Sequence, residues 1–206
     1  MEPVDLALVL AVDASSSVDR AEFDLMIGGY AHAFREADIA AGLLAGPLGA
    51  SAIAMVMWSG QGAQEVAVPW TKLASSADVA QLADAIETLP RLVPPGATAL
   101  GEGMAAALAL FATGPKEARR MVLDVSGDGA HNQGRPPGPM RDIGVQAGIT
   151  INALAVLNEE PDLMAHYAAE VIGGPGAFVM HCPDYEGFAA AIREKLRREI
   201  AGVFIA

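Results

Sequence analysis

Asp13, Ser15 and Ser17 set a carboxylate and two hydroxyls at alternating positions directly after an apolar run, in the stretch Asp13, Ala14, Ser15, Ser16, Ser17. A second carboxylate, Asp128, follows another apolar run within Ser126, Gly127, Asp128, Gly129, and a third hydroxyl, Thr98, ends the loop Pro94, Pro95, Gly96, Ala97, Thr98. Two carboxylates and three hydroxyls, with no imidazole or thiolate among them, form a hard oxygen set suited to Mg²⁺ or Mn²⁺ in an octahedral shell completed by water. Two anionic ligands balance a divalent charge. Such a site keeps an open position at which an acidic group of a partner can replace a water. The chemistry requires that all five residues meet.

The elements that carry them follow from periodicity. Residues 4 to 12 are a nearly continuous apolar run, the pattern of a strand covered on both faces. Residues 19 to about 37 carry Phe23, Met26, Ile27, Tyr30 and Phe34 at helical spacing, opened by Asp19 and Glu22 as a capping box. Strands over 52 to 58 and 63 to 68 are separated by only Ser59, Gly60, Gln61 and Gly62, too few for a parallel crossover, so they pair as an antiparallel hairpin. Helices are expected over 76 to 89, after the loop ending at Thr98 to about 112, up to 147, and over 162 to 172, with strands at 121 to 125, 150 to 157 and 177 to 180. A last helix over 184 to 202 places Tyr185, Phe188, Ile192, Leu196 and Ile200 on one stripe, with Arg193, Glu194, Arg197 and Arg198 mostly toward water.

This alternation predicts a three-layer α/β/α, doubly wound, mostly parallel sheet in the order 3-2-1-4-5-6 with one antiparallel edge strand. In that order strands one and four are neighbours at the point where the winding reverses. Asp13 and Asp128 then face each other across the crevice beyond the carboxyl ends of the strands. Nothing resembling a linker divides the chain, and residues 1 to 206 are read as one domain.

Composition removes several alternatives. With 52% hydrophobic and 18% charged residues the chain is too apolar to remain disordered. Thirteen Lys and Arg against 25 Asp and Glu leave a net charge of -12, which disfavours nucleic acid and anionic membrane surfaces, because both need clustered cations. The single cysteine, Cys182, excludes an internal disulfide and a thiolate metal cluster, and reads as a small core filler. Residues 39 to 58 carry no charge over the length of a membrane span, but Gly46, Pro47 and Gly49 break the stretch into a helix end, a turn and a strand. No basic segment precedes the first strand, so the chain is cytosolic or has had a leader removed.

Other chemistries find less support. Asp124 competes with Asp128, but four strand positions put it roughly 13 Å away, and a buried carboxylate satisfied by a hydroxyl, a backbone donor or a cation fits better. Gly101 to Ala106 fits GxGxxA but lacks the preceding strand of a dinucleotide site, so its glycines serve close helix packing. No GxSxG elbow, HExxH or glycine-rich GK[ST] loop is present. His32, His131, His166 and His181 are scattered, and only His131 stands near the proposed site, where it reads as loop structure. Trp58 and Trp70 read as core or strand-end aromatics, and Met55 and Met57, alternating with Val56, as strand packing.

The ordered set Asp13, Ser15, Ser17, Thr98 and Asp128 resembles the metal-ion-dependent adhesion site of von Willebrand factor type A domains, which uses DxSxS, a distant Thr and a distant Asp before Gly. The resemblance covers essentially the whole chain. LALVLAVDASSSVD, PPGATALGEG, LDVSGDGAHNQG, GITINALAV and IGGPGAFV look like a bacterial branch of that superfamily with no agreed substrate. One departure is the extra residue in Ser126, Gly127, Asp128, where the superfamily usually has Thr or Ser directly before Asp and Gly. The resemblance implies a non-enzymatic module that binds Mg²⁺ or Mn²⁺ through those five residues and captures an Asp or Glu of a partner protein. It further implies export to the periplasm or beyond and a last helix able to slide, while Ser16, Gly129, His131 and Asn132 are read as the rim around the five residues. A Mg²⁺-dependent phosphohydrolase and a metal-free scaffold stand as alternatives.

Overall fold

A computed structural model describes residues 1 to 201, so the final residue of the expected last helix, Gly202, lies outside the described residues. At its centre, β1 (Val4–Asp13) alternates Leu6, Leu8, Leu10 and Val12 toward one face with Val9 and Ala11 toward the other, as the two-residue period of a strand requires. β2 (Ser51–Trp58) repeats this with Ile53, Met55 and Met57 against Ala54, Val56 and Trp58. Both faces are apolar, and helices cover both. α1 (Arg20–Arg35), α2 (Ala37–Leu43), α3 (Ser76–Glu87) and α7 (Phe188–Ala201) pack on the first face. α4 (Leu100–Phe111), α5 (Pro137–Gln146) and α6 (Leu163–Glu170) pack on the second.

The sheet is completed by β3 (Gln64–Leu73), β4 (Ala118–Gly127), β5 (Ile149–Val156) and β6 (Val179–Cys182), in the order β3-β2-β1-β4-β5-β6. The β2–β3 pair is antiparallel and the others are parallel, the expected arrangement. The winding reverses between β1 and β4. There Val12 lies opposite Ser126, which brings Asp13 level with Gly127 and leaves Asp128 one step beyond.

Boundaries differ from the sequence expectation at several places, and β4 is longer at both ends than the expected 121 to 125. The first helix breaks at Glu36, whose backbone is extended (φ -68°, ψ 133°), and α2 starts afresh after it. Glu36 is engaged from both sides, by His32 at 3.3 Å and by Arg193 of α7 at 3.1 Å. α7 begins at Phe188 rather than 184, because the Asp184 carboxylate accepts from the Gly187 N–H (2.9 Å) and closes a turn first. β3 extends to Leu73 through a register shift opposite Ile53 and Met55, which accommodates Pro69 on the sheet edge. β6 runs two residues later than the periodicity suggests.

The uncharged stretch over 39 to 58 folds as the end of α2, a turn and β2, and no described helix is long and apolar enough to cross a membrane. In α4 the small residues do what close packing asks. A Cβ on Gly103 would lie 2.4 Å from the ring of the fully buried Trp58, and one on Gly101 would lie 2.0 Å from the Arg135 carbonyl oxygen.

Candidate metal centre

Three loops at the carboxyl ends of the strands build the site. After β1 the chain turns toward α1, and the Asp13 carboxylate accepts from the Ser15 N–H at 2.7 Å, a bond that curls the segment so Ser15 and Ser17 turn inward. Their hydroxyl oxygens lie 3.1 Å apart. Asp19 then caps α1 by accepting from the Glu22 N–H (2.8 Å), while Glu22 accepts from the Asp19 N–H (2.8 Å), so helix capping falls to Asp19 and leaves Ser15 and Ser17 free for the crevice.

From the end of β4, Asp128 meets this segment directly: the Ser17 hydroxyl donates to Asp128 Oδ1 at 2.6 Å. The extra residue before Asp128 is therefore absorbed without displacing its carboxylate. Gly127 explains why that residue is a glycine, since a Cβ there would come within 2.7 Å of both Asp13 Oδ2 and the Tyr167 hydroxyl. Thr98, almost fully buried, arrives from the loop before α4, and a Cβ on Gly129 would stand 3.2 Å from its Oγ1. All five expected residues thus gather at one place. Among the described residues no three His, Cys, Asp or Glu side chains converge as metal ligands.

The electrostatics are those of a place short of positive charge. Asp13, Ser15 and Asp128 are buried, and Asp13 Oδ2 and Asp128 Oδ2 have no hydrogen-bond partner among the described residues. Burial foremost, then the charge of Asp128, pushes Asp13 up to about 7 against the opposing bonds from Ser15. Burial raises Asp128 too, against the bond from Ser17. Two unserved, buried carboxylate oxygens beside three hydroxyls suit a hard divalent cation. The donor set fits the group that the sequence implies.

Around the five, Ser16 donates its N–H to the Gly96 carbonyl (2.8 Å), and His131 donates its N–H to His166 Nε2 (3.3 Å), a loop contact. Asn132 bonds the backbone of Thr98. Asp124 stands apart. It is fully buried on the α7 side of the sheet, with the Lys195 ammonium 2.6 Å away as its counter-ion, although neither of its oxygens accepts a hydrogen bond among the described residues. Trp58 and Cys182 are core residues, as expected.

Sequence reasoning missed two aromatic hydroxyls. Tyr167 of α6 donates to the Gly129 carbonyl (3.4 Å), and the Tyr185 hydroxyl is buried near Asp128 without a hydrogen-bond partner among the described residues. Tyr185 had been placed on the apolar stripe of the last helix, where its ring indeed stacks on Phe188 with centroids 6.1 Å apart. The signal lay in the hydroxyl, which a purely apolar stripe has no use for.

The fold is shared with solved structures of low sequence identity. A von Willebrand factor type A protein from Catenulispora acidiphila superposes with a TM-score of 0.63 at 18% identity, over 96% of this chain and 43% of that one. Proximal thread matrix protein 1 from the mussel byssus, in a form with a zinc-occupied MIDAS motif, gives a TM-score of 0.64 at 15% identity, over 97% of this chain and 48% of that one. The pilus adhesin SpaC from Lactobacillus rhamnosus GG, in its open conformation, gives 0.67 at 14% identity, over 97% of this chain and 30% of that one. The chain spans less than half the length of these proteins. No curated protein matches it in sequence. Residues 3–204 match the family described as "Protein of unknown function (DUF1194)", and with its von Willebrand factor type A-like fold the chain belongs to that family.

Proposed function

We propose that this chain is a cation-dependent protein-binding module, in which Asp13, Ser15, Ser17, Thr98 and Asp128 hold Mg²⁺ or Mn²⁺ and a carboxylate of a partner protein completes the site. The observation that carries this reading is the pair of buried, unpartnered carboxylate oxygens, Asp13 Oδ2 and Asp128 Oδ2, at the switch point of the sheet. When bound, the cation supplies a Lewis-acidic position open to an Asp or Glu side chain. The protein's part is orientation. Ser17 fixes Asp128 by its 2.6 Å bond, the Ser15 N–H fixes Asp13, and the rim of Ser16, Gly129, His131 and Asn132 shapes the approach.

The reading is of a single domain over residues 1 to 206 with no catalytic residues, and the lack of a nucleophile or base motif in the sequence supports it. The likeness to a pilus adhesin and a byssus matrix protein supports a place outside the cytoplasm and a protein ligand. Calorimetric titration of EDTA-stripped protein with Mg²⁺ and Mn²⁺, beside Asp128→Ala, tests it. Saturable binding lost in the variant supports the site and calls for partner capture with and without EDTA. Equal heats from both proteins would leave a metal-free scaffold, which the closure of Ser17 on Asp128 also permits.

A further inference from the structure

Thr98 has no element of its own to hold it. It lies in the non-helical loop before α4, yet is almost fully buried with its hydroxyl at the Asp128–Gly129 turn. Two hydrogen bonds on its own backbone fix it, and both go to one residue. Its N–H donates to Asn132 Oδ1 at 2.9 Å, and its carbonyl accepts from the Asn132 N–H at 3.1 Å. The flanking contacts brace the same loops: the Ala99 N–H donates to the Ser59 carbonyl (3.0 Å), the Ser59 hydroxyl to the Pro94 carbonyl (2.7 Å), and the Gln61 N–H to Gln133 Oε1 (2.7 Å). Asn132 itself is exposed, so its side chain contributes little apolar burial, and its one visible task is this grip.

Resting on the metal-site reading above, we propose that Asn132 is the positioning residue of the site: its carboxamide oxygen locks the Thr98 backbone so that the Thr98 hydroxyl faces the cation. Asn132 lies four residues after Asp128, so the same loop that delivers one ligand aligns another from a different part of the chain. Alanine removes the acceptor Oδ1 but keeps the backbone N–H bond. Aspartate keeps the acceptor.

The test is a double-mutant cycle read by Mn²⁺ and Mg²⁺ titration of Thr98→Ala, Asn132→Ala and the double variant, with Asp13→Ala as control. Hydrogen exchange of the Thr98 amide is followed in parallel. Partners that orient metal ligands are typically worth 10–100-fold in affinity, so Asn132→Ala is expected to weaken Mn²⁺ by about tenfold and to speed exchange of the Thr98 amide. In the Thr98→Ala background the same change should cost less than about twofold. Asn132→Asp should restore slow exchange at Thr98. An undiminished tenfold loss in the Thr98→Ala background, or full affinity in Asn132→Ala while Asp13→Ala binds nothing, would overturn the proposal alone. Absence of binding in wild type, with Asp13→Ala giving the same heats, would overturn the metal-site reading and this proposal with it.

Discussion

Lys195 of α7 reaches to within 2.6 Å of Asp124 on β4, and both side chains are wholly buried. The same ammonium donates to Glu199 Oε1 at 2.7 Å, and Glu199 accepts in turn from Asn152 Nδ2 at 2.9 Å. Asp124 and Asn152 are paired across β4 and β5, so the cluster ties α7 to two strands at once. Arg120 adds bonds to the carbonyls of Glu199 and Ile200 at the end of the helix. A one-turn displacement of α7 would set Ala191 or Glu199 opposite Asp124 in place of Lys195, leaving buried charge without its counter-ion. This fastening opposes the sliding that the family resemblance implies.

Removing the cation of that cluster should therefore be expensive. Lys195→Met is expected to destabilise the fold by about 3–5 kcal/mol, read from urea unfolding, because it strands two buried carboxylates. Replacing Asp124, Lys195 and Glu199 together with Leu, Met and Leu should recover most of that loss. Equal stability of Lys195→Met and wild type would mean the cluster holds nothing.

Two glycines should separate stability from binding. Gly103→Ala drives a methyl to 2.4 Å from the Trp58 ring and is expected to cost about 1–3 kcal/mol by overpacking. Gly129→Ala sets its methyl 3.2 Å from Thr98 Oγ1, so the hydroxyl must give way. There the thermal midpoint should move little while Mg²⁺ affinity falls by about tenfold, the usual scale for disturbing ligand orientation.

The pH dependence has a definite sign. Burial raises Asp13 to about 7, and burial followed by the charge of Glu199 raises Asp124 to about 7, whereas an unfolded Asp titrates near 3.9. The folded state thus holds protons that the unfolded state releases, and stability falls as pH rises from about 4 to about 7. EDTA-treated protein should lose thermal stability over that window. Asp13→Asn should flatten part of the slope, and Mg²⁺ added at pH 7 should raise the midpoint of wild type alone. A midpoint that climbs from pH 4 to 7 in EDTA would contradict the burial argument.

Cys182 is buried and burial pushes its thiol up to about 11, so it should be nearly inert to a disulfide reagent at pH 8 in native protein and react promptly in urea. Fast native labelling would show that the β6 edge opens readily.

Much of this was legible in the residues. The mostly parallel sheet followed from the alternation of apolar strands with helices, its antiparallel edge from a four-residue connection too short for a crossover, and four of the five proposed ligands stood out by their positions at or just past strand ends, with Thr98 in the loop before a helix. What stayed hidden was tertiary. Lys195 and Glu199 fall at helical spacing beside Ile192 and Leu196, yet a stripe read from apolar residues passes over both, because only Asp124 and Asn152 on the facing strands give charge a place on a buried face. The first helix breaks at Glu36, where the sequence carries no Gly or Pro, and there Glu36 pairs with Arg193 of α7, a contact that local sequence does not reveal. Asn132 was read as rim, since nothing in its own neighbourhood of sequence reveals the Thr98 backbone it grips.

The five proposed ligands come from segments that are distant along the chain and meet only where β1 and β4 lie side by side. β4 is added after the hairpin of β2 and β3 and the crossover through α4, so the pairing that assembles the site is a long-range one and belongs to the slower part of folding. A nascent or partly unfolded copy would possess Asp13, Ser15 and Ser17 yet have no grip on an ion. Under the proposed function, adhesiveness is then a property the molecule acquires only on maturation, and immature copies in transit stay silent toward the partner.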